Sequence, residues 1–284
     1  MRNLLLAFLA TVVSCVAQQP KPAVTLPDWV TIEANIPYAP HPETVLDVIK
    51  PKAATKGKRP GLLAIHGGGW RGGTKEASFQ RLCLPFLEKG FVVANVEYRL
   101  ADVAPAPAAV TDVLMAAAWF HRNAKRYGVD SKRIAVIGTS AGAHLALMVG
   151  MTPKSAKLGP AGNVAAVINF YGITDVADQL SGPNMRQYAV AWVPDQPGRL
   201  ELARRVSPMT YVRKKVPPII TVHGDADDTV PYDHGANLTK ALRRAGADAL
   251  MIPVPQGKHG FTKEQWETVW PRVFAFLEQR GIIR

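Results

Sequence analysis

The segment Gly138-Thr139-Ser140-Ala141-Gly142 sets a serine between two glycines, each two residues away. An apolar, β-branched run (134–137) leads into it and an apolar helical pattern follows. In that setting G-x-S-x-G is a sharp strand-to-helix turn that lifts the serine hydroxyl out of a sheet. A serine hydroxyl is a weak nucleophile at neutral pH, so this chemistry needs a histidine within hydrogen-bond reach and a carboxylate to hold that histidine. Position must choose among the chain's 7 histidines. His259, in Gly257-Lys-His-Gly-Phe261, follows the last β-type run and so falls in a loop at a strand's carboxyl end. His144 packs within the helix after the serine, His41 and His121 belong to a linker and a helix surface, and His223 ends a strand and shapes the loop behind it. The carboxylate is expected in His223-Gly-Asp-Ala-Asp-Asp-Thr-Val-Pro231, where Asp227 is the first choice and Asp225 and Asp228 stay open. Acyl transfer also needs N–H donors aimed at an oxyanion. The glycine-rich stretch His66-Gly-Gly-Gly-Trp-Arg-Gly-Gly73 can supply them together with the N–H of Ala141. No Lys-Ser/Thr pair follows these glycines, which disfavours a phosphate-binding loop.

These residues need a scaffold that gathers loops from distant parts of the chain. Apolar β-type runs at 45–49, 62–65, 92–96, 134–137, 164–170, 219–222 and 249–254 alternate with helical patterns such as Val110, Val113, Leu114, Ala117, Phe120 and Ala124. Strands apolar throughout belong to a parallel sheet covered on both faces. The expected class is therefore α/β: an open, mostly parallel, doubly wound sheet with active groups at the carboxyl ends of its strands. One segment, 172–206, breaks the rhythm with prolines and glycines and reads as a small cap insertion. Tyr188 and Trp192 within it, and Trp70 in the glycine-rich stretch, are candidate substrate-facing aromatics.

The 284 residues suit one large α/β domain, expected over 43–284 after a linker and extension over 18–42. Residues 1–17 read as a secretory signal peptide: a positive charge at Arg2, an unbroken apolar run over 4–13, then small residues. Cleavage after Ala17 implies a secreted or periplasmic protein, and a competing site before Cys15 would attach a lipid anchor there. The other cysteine, Cys83, sits among leucines and is expected to be a buried, inert thiol. The net charge of +12 comes from scattered Lys and Arg without the interleaved aromatics of a nucleic-acid reader, so no nucleic-acid partner is expected.

Taken with their order, HGGGW (66–70), YRL (98–100), YGVDSKRIAVIGTSAGAHLA (127–146), FYGITD (170–175), SPMTYV (207–212), HGDADDTVP (223–231) and GKHGF (257–261) make the chain resemble α/β-hydrolases. The group is that of bacterial esterases that includes feruloyl and acetylxylan esterases, related to hormone-sensitive-lipase-like enzymes. The resemblance implies Ser140 as nucleophile, Asp227 as acid, His259 as base, and Gly68, Gly69 and Ala141 as oxyanion donors. It further implies a small-molecule or oligosaccharide ester substrate, short-acyl or feruloyl, with neither metal nor organic cofactor. Two departures are Ala143, where the group often has a glycine, and the poorly matching cap. An amidase, arylformamidase or peptidase on the same fold remains the alternative. A non-catalytic binding module is disfavoured because all three triad positions are filled. Oligomeric state is not legible.

Overall fold

Apolar strands with no polar face are stable only between two covering layers, and the side-chain period of two tells which residue faces which layer. In the computed structural model, which describes residues 25–284, this pattern holds along the central strands. Leu63, Ile65, Ile134 and Val136 join one buried cluster, while their neighbours Leu62, Ala64, Ala135 and Ile137 join the other. The span 1–17, read as a signal peptide, and Cys15 within it lie outside the described residues.

The strands are β1 (Val30–Pro37), β2 (Val45–Pro51), β3 (Arg59–Ile65), β4 (Val92–Val96), β5 (Val129–Thr139), β6 (Ala166–Phe170), β7 (Ile219–Gly224) and β8 (Ala249–Val254). They form one 8-stranded sheet in the order β1-β2-β4-β3-β5-β6-β7-β8. The pairs β1/β2 and β2/β4 are antiparallel and every other pair is parallel. The helices are α1 (Lys75–Ser78), α2 (Leu84–Glu88), α3 (Ala108–Asn123), α4 (Ala141–Met151), α5 (Gln187–Trp192), α6 (Arg199–Arg205), α7 (Asp233–Arg244) and α8 (Lys263–Glu278). Helices α3 and α4 cover one face of the sheet, and α2 and α8 help cover the other. The expected α/β architecture is thus found.

The span 18–42, read as linker and N-terminal extension, contains the edge strand β1. Its apolar Val30, Ile32, Ala34 and Ile36 alternate with polar Thr31, Glu33 and Asn35, the period of a strand, although most of these residues are exposed at the sheet edge. A register shift between Glu33 and Ile36 breaks its pairing with β2, and there the Asn35 N–H donates to Asp47 Oδ1 at 2.8 Å. Such irregularity is common at sheet edges.

The turn from β5 into α4 is possible only because of its glycines. A Cβ on Gly142 would lie 2.3 Å from the carbonyl oxygen of Ile65 and 2.4 Å from that of His66, and one on Gly138 would lie 2.2 Å from the Gly142 oxygen. These are backbone atoms and cannot move aside cheaply.

Segment 172–206 contains more regular structure than its composition suggested, namely a short 3-10 turn, α5 and α6. It is fastened through Trp192, which is fully buried and stacks on Trp70 at 4.1 Å and 10°. His144 of α4 bridges the same region: its Nδ1 accepts from Trp70 Nε1 at 3.2 Å and its Nε2 donates to the Val206 oxygen at 2.6 Å. Arg186 ties the insertion to the loop after β7, donating from Nε to the Thr229 oxygen at 2.9 Å and from Nη2 to the Asp228 oxygen at 2.8 Å.

Two outcomes follow from this packing. Gly142→Ala forces α4 away from β3 and should cost about 2 kcal/mol or more, read as a lower urea midpoint; an unchanged midpoint would contradict the close approach. Burial, only partly offset by the bond to Val206, pushes the His144 pKa down from 6.5 to about 4. Between those values the unfolded chain binds a proton that the folded chain refuses, so stability is full above pH 6.5 and falls as the pH drops toward 4. The loss is on the order of 3 kcal/mol. His144→Gln keeps a donor and an acceptor but does not titrate, so its urea midpoint should fall less steeply over that range, and equal slopes would refute the assignment.

Candidate active site

Four loops at the carboxyl ends of parallel strands meet at one place: residues 66–73 after β3, Ser140 after β5, the aspartate-bearing loop after β7 and the histidine loop after β8. Ser140 takes φ 54 and ψ −125, a left-handed conformation rarely held by a residue with a side chain. It is pinned there because its N–H donates to the Phe170 oxygen at 2.9 Å and its own oxygen accepts the first helical bond from His144 N at 3.0 Å. The result aims Oγ away from the sheet. His259 Nε2 lies 2.9 Å from Ser140 Oγ, and His259 Nδ1 lies 2.9 Å from Asp227 Oδ2 and 3.1 Å from Oδ1. A histidine whose Nδ1–H is held by a carboxylate presents an Nε2 lone pair to the hydroxyl.

The structure distinguishes the three aspartates. Asp227 faces His259 and its side chain is wholly buried. Asp225 instead accepts from Gln256 N at 2.6 Å, bracing the loop that carries His259. Asp228 is exposed and accepts from Thr229 Oγ1 at 3.2 Å. Asp227 Oδ1 also accepts from the N–H groups of Thr229 and Val230 at 2.9 and 3.0 Å. His223 Nε2 lies 2.9 Å from the Val230 oxygen and 3.3 Å from Asp227 Oδ2, so this nitrogen is placed as a donor to both. Burial alone would raise the Asp227 pKa, but the hydrogen bonds from His223 and His259, the His259 charge and the Val230 N–H outweigh it and hold the carboxyl far below the usual range. Gly224 and Gly257 let the two loops touch: a Cβ on Gly224 would sit 2.0 Å from the Gly257 oxygen.

Beside the serine, Gly68 and Gly69 have φ of +121 and +60, turning the backbone of the glycine-rich loop over. Within the protein the N–H groups of Gly68 and Gly69 have no hydrogen-bond partner among the described residues, and Ala141 N–H belongs to the unpaired first turn of α4. His66 is buried behind this loop, with Nε2 3.1 Å from Glu97 Oε1 and its ring stacked on Tyr98 at 4.4 Å. It braces the loop and also borders the cavity.

A cavity of about 630 Å³ opens over Ser140 and His259, lined also by Gly68, Gly69, Tyr171, Tyr188 and Thr229. Tyr188 is where the sequence placed it, on the wall, and its OH donates to Gln179 Oε1 at 3.0 Å. Burial pushes its pKa up to about 12, so the phenol stays neutral. Trp70 and Trp192, expected to face substrate, do not line the cavity; both are fully buried and stacked on each other. The φ of 57 at Trp70 turns its indole inward, where it anchors the loop. Sequence reasoning missed Tyr171, which packs edge-on against His259 at 4.9 Å and lines the cavity. Its position at the carboxyl end of β6 was the available signal. Cys83 is buried, and burial raises its pKa, as an inert thiol requires. Among the described residues, no group of three or more His, Cys, Asp or Glu is placed to hold a metal.

Known proteins resemble the chain in sequence and in fold. Esterase LipQ of Mycobacterium tuberculosis is 29% identical over 245 residues, 80% of this chain and 57% of LipQ. The chain spans little more than half the length of the curated relatives it matches most fully. Arylacetamide deacetylase of Bos taurus is 41% identical over a shorter stretch, 35% of this chain and 26% of that protein. Among solved structures, a truncated carbohydrate esterase from gut microbiota is 26% identical with a TM-score of 0.74, covering 87% of this chain and 96% of that one. A bifunctional GH43-CE protein of Bacteroides eggerthii is 27% identical with a TM-score of 0.78, covering 88% and 38%. The family described as BD-FAE matches residues 46–242, well over half of the sequence and the whole stretch from β2 through Ser140 and Asp227 into α7. The chain therefore belongs to the BD-FAE family and has the α/β-hydrolase fold.

Proposed function

We propose that this protein is a serine carboxylic-ester hydrolase in which Ser140, His259 and Asp227 form the catalytic triad. The observation that carries the reading is the continuous path Ser140 Oγ, His259 Nε2, His259 Nδ1, Asp227 Oδ2, with 2.9 Å at each hydrogen-bonded step. His259 takes the hydroxyl proton as Oγ attacks the ester carbonyl, and Asp227 holds the imidazole and stabilises its charged form. The new tetrahedral oxyanion lies against the N–H groups of Gly68, Gly69 and Ala141, which need no reorganisation to receive it. Collapse of that intermediate breaks the bond to the alcohol, whose oxygen takes the proton back from His259. Water, deprotonated by His259, then attacks the acyl-enzyme, and the acid leaves as the proton returns to Ser140.

The proposed substrates are short-acyl or feruloyl esters of carbohydrate. Support comes from family membership, from the carbohydrate esterase among the solved relatives and from the resemblance carried by the motifs. Export is proposed from the charged start and the apolar run over residues 4–13, with a lipid at Cys15 as its anchored variant. Among the described residues no helix is long and apolar enough to cross a membrane. Amide cleavage is the second reading, favoured by the stretch shared with arylacetamide deacetylase.

Replacing Ser140 by Ala should lower kcat on 4-nitrophenyl acetate roughly a millionfold. It should also abolish covalent labelling by a fluorophosphonate, seen as loss of the adduct mass. Near-normal turnover in that variant would overturn the triad. Parallel assays on acetylated xylan oligosaccharides, methyl ferulate and 4-nitroacetanilide should rank the esters above the anilide, and the reverse ranking would replace the ester reading with the amide one.

A further inference from the structure

The cavity over the triad is lined by two guanidinium groups and no carboxylate. Arg71, in the glycine-rich loop, and Arg81, in the turn between α1 and α2, both line the space that holds Ser140 and His259. No aspartate or glutamate lines it; Asp227 is sealed behind His259. Both arginines are exposed, and among the described residues neither guanidinium makes a hydrogen bond or an ion pair. Arg81 rests its guanidinium 5.8 Å from the centre of the Trp266 ring, which fixes the direction of its stem and leaves its donors to the solvent side. Burial pushes the pKa of Tyr171, the neighbour of His259, up, and the Arg81 charge opposes that rise.

A cavity with one sign of charge concentrates ligands of the other sign, and a guanidinium binds a carboxylate through paired N–H donors. We infer that Arg71 and Arg81 form a carboxylate-binding subsite, so that the preferred ester carries a free carboxylate a few bonds from its scissile carbonyl. The inference rests on the ester-hydrolase reading and names the substrate class within it. The carboxylate has two sources: the acyl side, as in the half-ester of a dicarboxylic acid, or the alcohol side, as in an acylated acidic sugar. Other basic clusters, such as Lys56, Lys58, Arg59 and Arg133, line a separate cavity that contains none of the serine-site residues, so they do not account for selection at the serine.

Two matched pairs separate the sources. Mono-4-nitrophenyl glutarate against 4-nitrophenyl butyrate reads the acyl side, and 4-acetoxybenzoate against phenyl acetate reads the alcohol side. In the wild-type protein, kcat/KM for the carboxylated member of one pair should exceed that of its neutral partner by about tenfold, and the ratio should shrink at about 0.5 M NaCl. The ratio, carried mainly by KM, should fall toward one in the double variant Arg71→Gln, Arg81→Gln and recover partly with Lys at both positions. Ratios near or below one in both pairs, or ratios that the double variant leaves unmoved, would overturn the subsite while leaving the hydrolase reading standing. If the wild-type protein hydrolyses no ester, that reading fails separately. The subsite is then judged by calorimetric binding of mono-4-nitrophenyl glutarate and 4-nitrophenyl butyrate to the Ser140→Ala protein, with and without the arginines. Tighter binding of the carboxylated ester that depends on the arginines upholds the subsite, and equal binding refutes it.

Discussion

The structure depends on backbone meeting backbone where α4 passes β3. Gly142 has no side chain, so the first turn of α4 can rest on the carbonyl groups of Ile65 and His66, and Gly138 allows the same helix to fold back against its own strand. That contact fixes the height and direction of α4, and with them the unusual backbone of Ser140. A conformation costing on the order of 1–3 kcal/mol persists only where its surroundings over-determine it. Here they do: Phe170 receives the Ser140 N–H, and the helix begins from the Ser140 oxygen. Gly67 is drawn into the same junction, since a Cβ there would meet the Thr139 oxygen at 2.7 Å. The serine and the loop that faces it are thus positioned by one contact.

The acidic end of the constellation is built on the same principle of close approach followed by hydrogen bonding. Gly224 and Gly257 bring the loops after β7 and β8 together, and the Ala226 N–H donates to the Gly257 oxygen at 3.0 Å. Within that junction a carboxylate is removed from water, which is tolerable only when its oxygens are supplied with donors. Asp227 has them from two backbone N–H groups and two histidines. One of these, His259, reaches out to the serine, while the other, His223, is wholly buried and only supports. The asymmetry makes the aspartate a fixed anchor for one imidazole orientation.

Much of this was legible in the sequence because it follows from period and order. Strands apolar on both faces announced the sheet, and a serine, aspartates and a histidine after successive strands had to meet at its carboxyl edge. Three aspartates within one short turn carry no internal distinction, since the choice depends on how the turn is rolled: Asp225 meets Gln256, Asp227 meets His259 and Asp228 meets solvent. Strand β1 carries the same kind of signal, with Val30, Ile32, Ala34 and Ile36 alternating with Thr31, Glu33 and Asn35, but the proline- and glutamine-bearing stretch before it masks the pattern. Trp70 and Trp192 misled for a different reason. An aromatic beside a glycine-rich loop reads the same whether it lines a pocket or plugs the core, and the left-handed backbone at Trp70 decides for the core.

The burial of those two indoles changes what the insertion over 172–206 does. Its contacts include a fully buried stack with Trp70, the bond from His144 to Val206, and the two bonds from Arg186 to the loop that carries Asp227. Lifting it would strip apolar surface from both indoles and break hydrogen bonds that also position the glycine-rich loop and the acid. A segment fastened to the groups that it covers acts as a fixed wall. Of its residues, only Tyr188 lines the cavity. Arg71, Thr74, Ser78 and Arg81 also line the cavity, from the glycine-rich loop, α1 and the turn after it, and none of them is a triad position. On the proposed ester-hydrolase reading, substitutions there would alter what approaches Ser140 without disturbing how Ser140 is held.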